Sequence, residues 1–411
     1  MAIHPPLAET GLPFAGENIG AAFTKLLESF PRKPRLLGLG EPTHGVEALP
    51  QLRNALFRHL VEYEGYRSIA IESDCLAGLV VDRFVTEGAG SLDDVMHHGF
   101  SHGLGESAAN RELVSWLREY NRDRAGLDQV RFFGFDGPLE MTAAASPGPA
   151  LLALHDYLAT HVDNGLLPSG DIAALVGADA RWINPDAAMD PARSVGGADE
   201  VTTLRLIADD LLTLLSAQAP HLVAVTSRDE WWRANLHGRT ASGLLRYHAG
   251  MADTSASRVG RLMSERDGMM ADNLLAILAG QADRGPTMAF AHIRHLQRDK
   301  SRIRMGELAL EWWSAGAIAG TRLGAEYAFV AMVAGTVPER EIGVPSPDTL
   351  EGVLHALPGD RYVLDSADLT AALHGTELVP RTDLDYRHNP LNPDQLAHTD
   401  GVVYLKHLPA T

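Results

Sequence analysis

The order in which two periodicities alternate along this chain limits its fold more than any single motif does. Short apolar runs of strand character, RLLGLG (35–40), RSIAIES (67–73) and VRFFGFD (130–136), are separated by longer stretches with helical spacing. Between the first two, Leu49, Leu52, Leu56, Leu60 and Tyr63 recur at three- and four-residue steps, as on the inward stripe of an amphipathic helix. Parallel strands need a long crossover, so this order predicts an α/β fold: a mainly parallel sheet core with flanking helices. From about Ser146 the strand signals give way to helical ones, including LLALHDYLATH and ADEVTTLRLIADDLLTLLSAQ. Strand-like runs return as TMAFAH (287–292), YAFVAMVAG (327–335), RYVLD (361–365) and GVVYLKHL (401–408). The pattern divides the chain into a first part of the core (1–145), a helical insertion (146–265) and a completing part (266–411).

Composition narrows the partners. A chain of 411 residues with 45% hydrophobic and 21% charged residues can bury a large core. Its net charge of −18 opposes phosphate backbones and anionic lipid, and no Lys/Arg run makes a local exception, so neither nucleic acid nor membrane is expected. The single cysteine, Cys75, excludes an internal disulfide framework and a thiolate-rich zinc site. MAIHPPLAETGLPFAGENIG lacks a basic segment followed by an apolar one, and no stretch reaches ~18 consecutive apolar residues. The expected location is cytoplasmic.

In parallel α/β sheets, reactive groups gather beyond the carboxyl ends of strands. Glu41 and His44 stand there in LLGLGEPTHG, although Thr43 as a helix cap with a surface carboxylate would give the same letters. Gly38 and Gly40 invite a dinucleotide reading, but Thr43 stands where the third glycine belongs, and Glu41 would face the pyrophosphate. GFSHG (99–103) matches a nucleophile elbow in letters alone, because the polar SLDDVMHH precedes it instead of a buried strand. Ser101 therefore reads as a loop residue; the nearby His97, His98 and His102 could line a cleft, but such a cluster is more often solvated.

Other strand ends supply Glu72, Asp136 and His292, with His295 three residues further on. Ionisable groups at the ends of separate strands converge on one cleft, where they shift one another's pKa values. Arg53 falls beside the inward stripe of its helix, and a buried guanidinium needs a partner; Glu72 on the next strand is the expected one.

With these residues in place the chain resembles the erythromycin esterase family. The matching segments run in order: LLGLGEPTHG, Arg53 in LPQLRNALFRHLVE, Glu72 in IAIES, SWLREYN leading into FFGFD, RDGMMADN, AFAHIRHLQ, RMG and DGVVYLKHL. The resemblance implies an esterase-like hydrolase that needs no cofactor and no metal and acts on a small-molecule ester or macrocyclic substrate. His44 would be the general base on a water, oriented by Glu41. His292, His295 and Arg53 would assist the oxyanion or leaving group, and Glu72 would hold Arg53 or polarise an imidazole. Asp136 and Arg266 would contact substrate. Ile293 replaces the family's usual Asn, and with it an amide expected near the cleft. Three alternatives keep the same residues: a metal-dependent hydrolase, since the His/Glu set suits zinc or manganese; a cyclase or lyase acting on a natural product; and a non-catalytic binder.

Overall fold

A computed structural model describes residues 10–140, 143–162, 165–166, 168–188, 190–382 and 387–409. The first nine residues, part of the stretch read for a leader, lie outside it. Eight strands form the central sheet: β1 (Leu12–Pro13), β2 (Leu36–Glu41), β3 (Ser68–Asp74), β4 (Arg131–Asp136), β5 (Thr287–His292), β6 (Tyr327–Thr336), β7 (Arg361–Asp365) and β8 (Gly401–His407). Their order across the sheet is β1-β7-β8-β6-β2-β5-β3-β4, with β8 through β4 mutually parallel. Only the β1/β7 and β7/β8 pairings at one edge are antiparallel. The expected α/β class and mainly parallel sheet are thus what the chain adopts.

The threading matters more than the class. β2 and β3 are consecutive along the chain, yet β5, from the last third of the sequence, lies between them and pairs with both. The carboxyl ends of four neighbouring strands therefore carry Glu41, His292, Glu72 and Asp136 side by side. Glu41 sits directly opposite His292 in the register. β3 is irregular against β4: Ile71 pairs with Gly134 and Asp74 with Asp136, so β3 has an extra residue at Glu72–Ser73. Such a bulge re-aims a side chain at a strand end.

Alternation along the strands divides the interior in two. Leu37, Leu39, Ile69, Ile71, Met288 and Phe290 pack with Leu49, Leu52, Leu56 and Leu60 of the helix Ala48–Tyr63 on one face. Leu36, Ala70, Phe133, Phe135, Ala289 and Ala291 pack on the other. Tyr63 departs from the expected stripe and is 72% exposed at the last residue of the helix, whereas Leu60 and Val61 in the same turn are buried. Gly38 and Gly40 belong to the second face. A Cβ at Gly40 would stand 2.9 Å from the Ile293 backbone and 3.0 Å from the Phe329 ring. Gly40 thus admits the turn after β5, and Gly38 the Tyr327 side chain, whose hydroxyl a Cβ would meet at 2.8 Å, which is the structural use of a motif that imitates a nucleotide loop.

Among the described residues, Gly148–Gly280 contains only helices and short helical turns. Leu151, Leu154, Leu158, Leu204, Leu211, Leu215 and Leu245 give this block a core of its own. The helix Arg258–Gly280 runs through the expected boundary at 265/266, and its second half, Met270 to Leu278, packs on the sheet. An antiparallel hairpin, Lys300–Met305 with Leu308–Trp313, was not legible as strands.

Replacing Gly40 with Ala should displace Ile293 and with it the His292–His295 turn. Overpacking of this kind costs about 1–3 kcal/mol, readable as a lower denaturation midpoint; an unchanged midpoint would contradict the close approach.

Candidate active site

The turn Glu41–Gly45 doubles back on itself, which answers why a carboxylate and an imidazole stand three residues apart. Gly45 adopts φ +72, a conformation that favours glycine, and His44 Nδ1 comes back to 2.7 Å from Glu41 Oε1. The turn is held from outside by Asn389, whose amide donates to the Pro42 carbonyl at 2.7 Å, and by Arg340, which donates to the His44 carbonyl at 2.5 Å. Thr43 caps no helix, and Glu41 is buried. His44 keeps 50% of its side-chain surface open to solvent.

Glu72 is the centre of the cluster. Its Oε1 lies 3.6 Å from His44 Nε2, 3.3 Å from His295 Nε2 and 3.4 Å from an Arg266 nitrogen. The β3–β5 ladder ends at Ile71–Phe290, and Glu72 Oε2 takes over by accepting the His292 amide at 2.7 Å. His292 caps the one-turn helix Ile293–Leu296: its Nδ1 accepts from Arg294 N–H, which leaves the proton on Nε2. That same helix presents His295. Its Nδ1 meets Asp267 Oδ1 at 2.9 Å, so one line of alternating acids and imidazoles runs Glu41, His44, Glu72, His295, Asp267.

A second arm begins at Asp136, which is fully buried. Arg266 donates to both of its oxygens, His102 Nε2 lies 3.1 Å from Oδ2, and Gly137 N–H donates to Oδ1. His102 Nδ1 in turn meets Glu140 at 2.8 Å.

The electrostatics follow from this packing. Burial alone would lower the His44 pKa, but Glu72 and Glu41 outweigh it and push it up to about 10. For His295 burial is again opposed, here by Asp267 and Glu72, with the same result of about 10. Glu72 is drawn well below the ordinary carboxylate range: burial works against ionisation, but the two imidazoles overcome it. His292 moves the other way, far down, through burial and the nearby His44 charge, so it is neutral at physiological pH. Burial likewise opposes ionisation of Asp136, and Arg266 and His102 reverse that and lower its pKa.

The structure brings together Glu41, His44, Glu72, His292, His295, Asp136 and Arg266. Arg53 differs from expectation. It is 1% exposed and makes no ion pair with Glu72. Its guanidinium donates to the amide oxygens of Asn54 (2.7 and 3.1 Å) and Asn110 (2.9 Å) and lies 4.9 Å from the Phe290 ring centre. Neutral acceptors compensate it weakly, so burial pulls its pKa down to about 10 even though the Glu41 charge opposes this. Two amides thus suffice where a carboxylate was expected. Ile293, where the family usually has Asn, is fully buried against Gly40.

His102 and Asp267 were missed as site residues. His102 was read as solvated along with His97 and His98, which are exposed helix-end residues. Its own backbone, at φ 56, turns it inward to Asp136. The signal for Asp267 was adjacency to Arg266, since consecutive helical residues can serve two neighbouring partners. Ser101 supports the same loop, accepting from the Asp74 amide and exchanging hydrogen bonds with Ser73, with no base beside it. Trp231 and Trp232 line a separate cavity of about 420 Å³ with Arg131 and Phe133. Among the described residues no group of three or more His, Cys, Asp and Glu side chains is arranged to hold a metal ion. No described helix is long and apolar enough to cross a membrane.

A model of the family described as erythromycin esterase matches residues 61–407. An Escherichia coli protein named erythromycin esterase type II is 27% identical over 130 residues, 31% of this chain and 28% of that protein, so the match spans less than a third of the relative. A Bacillus cereus protein of known structure aligns over 98% of this chain and 96% of its own with a TM-score of 0.71 at 16% identity. The structure of an erythromycin esterase mutant in its open conformation aligns over 100% and 98% with a TM-score of 0.66 at 17% identity. At such identities the structural likeness speaks for the fold.

Because His295 is buried and its folded-state pKa of about 10 exceeds its ordinary 6.5, its ionisation stabilises the fold fully below pH 6.5. That contribution is lost as the pH rises through 10. Denaturation midpoints measured from pH 6 to about 10 should fall, and His295→Gln should flatten the decline; a slope unaltered by the substitution would refute the assignment.

Proposed function

The chain belongs to the erythromycin esterase family, and from that premise we propose that it hydrolyses a small-molecule ester or macrolactone by general-base activation of water at His44. The observation that carries this reading is the position of His44. It is the one imidazole of the acid–imidazole line that is half open to solvent, while its Nδ1 is engaged by the buried Glu41 carboxylate.

Ester cleavage by water needs a base for the nucleophile, charge stabilisation for the oxyanion and a proton for the leaving alkoxide. Glu41 holds the Nδ1 proton of His44, so Nε2 is the atom that removes a proton from water; the carboxylate then stabilises the imidazolium formed, as in hydrolytic triads. His292, neutral with its proton on Nε2, donates at 3.4 Å to the Arg387 carbonyl, and in this reading that N–H turns to the developing oxyanion when substrate is bound. Arg53 acts from inside the core through its charge on Glu41, not by touching substrate. Asp136 and Arg266 hold each other and Glu72 in place and offer polar contacts at the other end of the line. In this reading residues 146–265 are a helical insertion that borders the reaction site between the two parts of the α/β core.

A base whose pKa is about 10 is mostly protonated at neutral pH, with on the order of one molecule in a thousand competent at pH 7. The ratio kcat/KM should therefore climb steadily with pH toward about 10; a flat profile between pH 7 and about 9.5 would rule His44 out as the base in the free enzyme. Hydrolysis of macrolides and simple esters, followed by the mass of one added water, tests the activity directly. His44→Ala should lower turnover by roughly two to four orders of magnitude in a protein that remains folded. Turnover by that variant at nearly the native rate would refute the assignment.

A further inference from the structure

Asp267 has no part in the chemistry described so far, yet it is one of the most tightly held carboxylates of the molecule. It is 1% exposed, on the helix Arg258–Gly280. Its Oδ1 accepts the Ala315 amide at 2.8 Å and meets His295 Nδ1 at 2.9 Å; its Oδ2 accepts the indole N–H of Trp312 at 2.6 Å. Trp312 lies in the hairpin strand Leu308–Trp313, and Ala315 opens the helix Ala315–Leu323. Two further elements thus grip this carboxylate and aim it at one imidazole.

The other nitrogen of that imidazole faces Glu72 Oε1 at 3.3 Å. An ionised carboxylate accepts hydrogen bonds and donates none, and a neutral imidazole has a single N–H. A buried ring with a carboxylate within 3.5 Å of each nitrogen satisfies both contacts only when both nitrogens carry protons; His44 Nε2, 3.6 Å from Glu72 on a half-open ring, is under no such constraint. We propose that Asp267 is a positioning residue that keeps His295 doubly protonated, so that His295 delivers the proton to the departing alkoxide while His44 takes one from water. This deepens the hydrolase reading and rests on it.

The protons balance. Water loses one to His44 Nε2 as its oxygen bonds to the ester carbon. The carbon–oxygen bond to the alcohol breaks, and the alkoxide takes a proton from His295 Nε2. His44 and His295 then hold one proton too many and one too few, and Glu72 Oε1 lies between the two Nε2 atoms, 3.6 and 3.3 Å away, to pass it across. The products are acid and alcohol, with both imidazoles restored. His295 retains 10% of its side-chain surface accessible, and His44, across Glu72, 50%.

The charged groups around His295 are Asp267 and Glu72 in direct contact, His44 and Arg266 across Glu72, and the neutral His292 at the start of its own turn. Burial works against its charge, and the two carboxylates prevail.

Two measurements on the full chain test the inference. Nitrogen NMR at about pH 8, with the His295 signal assigned by its loss in His295→Gln, should report an imidazolium in the native protein. In Asp267→Asn the apparent pKa of that ring should fall by about two units. A neutral His295 in the native protein overturns the proposal, and this reading needs no variant that might misfold. The second uses 4-nitrophenyl and ethyl butyrate, which share an acyl group but differ in how much their leaving groups need a proton. Asp267→Asn should slow the ethyl ester about a hundredfold and the aryl ester about threefold or less. Equal slowing of both esters overturns the proposal while leaving the esterase reading intact. If the native protein hydrolyses neither these esters nor any macrolide, the esterase reading itself fails, and the donor role of His295 fails with it.

Discussion

One buried carboxylate organises this site. Glu72 is nearly sealed from water, and an isolated charge there would be prohibitive; it is tolerated because both oxygens are engaged by donors or cationic partners. Its Oε1 is shared by His44, His295 and Arg266, and its Oε2 closes the gap left where the β3–β5 ladder stops. The same charge raises the pKa of both imidazoles beside it, while His292, with burial and a cationic neighbour, goes the opposite way. Within one cluster two imidazoles are thus held protonated and a third neutral at the same pH, the kind of separation that acid–base chemistry requires.

The sheet supplies the precision. Glu41, His292, Glu72 and Asp136 are placed by neighbouring parallel strands whose spacing the backbone ladder sets, and only His44, His295 and His102 come from turns. Each of those turns is anchored: by Gly45, Asn389 and Arg340 around His44, by the His292 cap and the Gly40 contact around His295, and by Ser73 and Asp136 around His102. The hairpin at 300–313 and the helix that follows it hold Asp267 from behind.

Much of this was legible. A strand that ends in Glu, Asp or His announces a carboxyl-end cleft, and Glu41, Glu72, Asp136 and His292 each followed an apolar run. Arg53 was rightly placed inside, since its helical spacing demands it, but its partners were misjudged because amides on Asn54 and Asn110 carry no periodicity that marks them. His102 resembled its exposed neighbours in composition; a positive φ, invisible in the letters, turns it into the cluster. Asp267 lay hidden inside a helix whose apolar pattern explained the surrounding residues.

The sequence by itself determined the α/β class, seven of the eight strands of the central sheet and the all-helical block, because periodicity and residue type are local properties of a chain. Only the tertiary structure decided that β5 threads between β2 and β3, and so which imidazole faces which carboxylate. Charge states in this cluster depend on distances of 3.3 to 3.6 Å between groups as far apart along the chain as Glu72 and His295, where Coulomb interaction and burial compete and neither can be read from spacing along the chain.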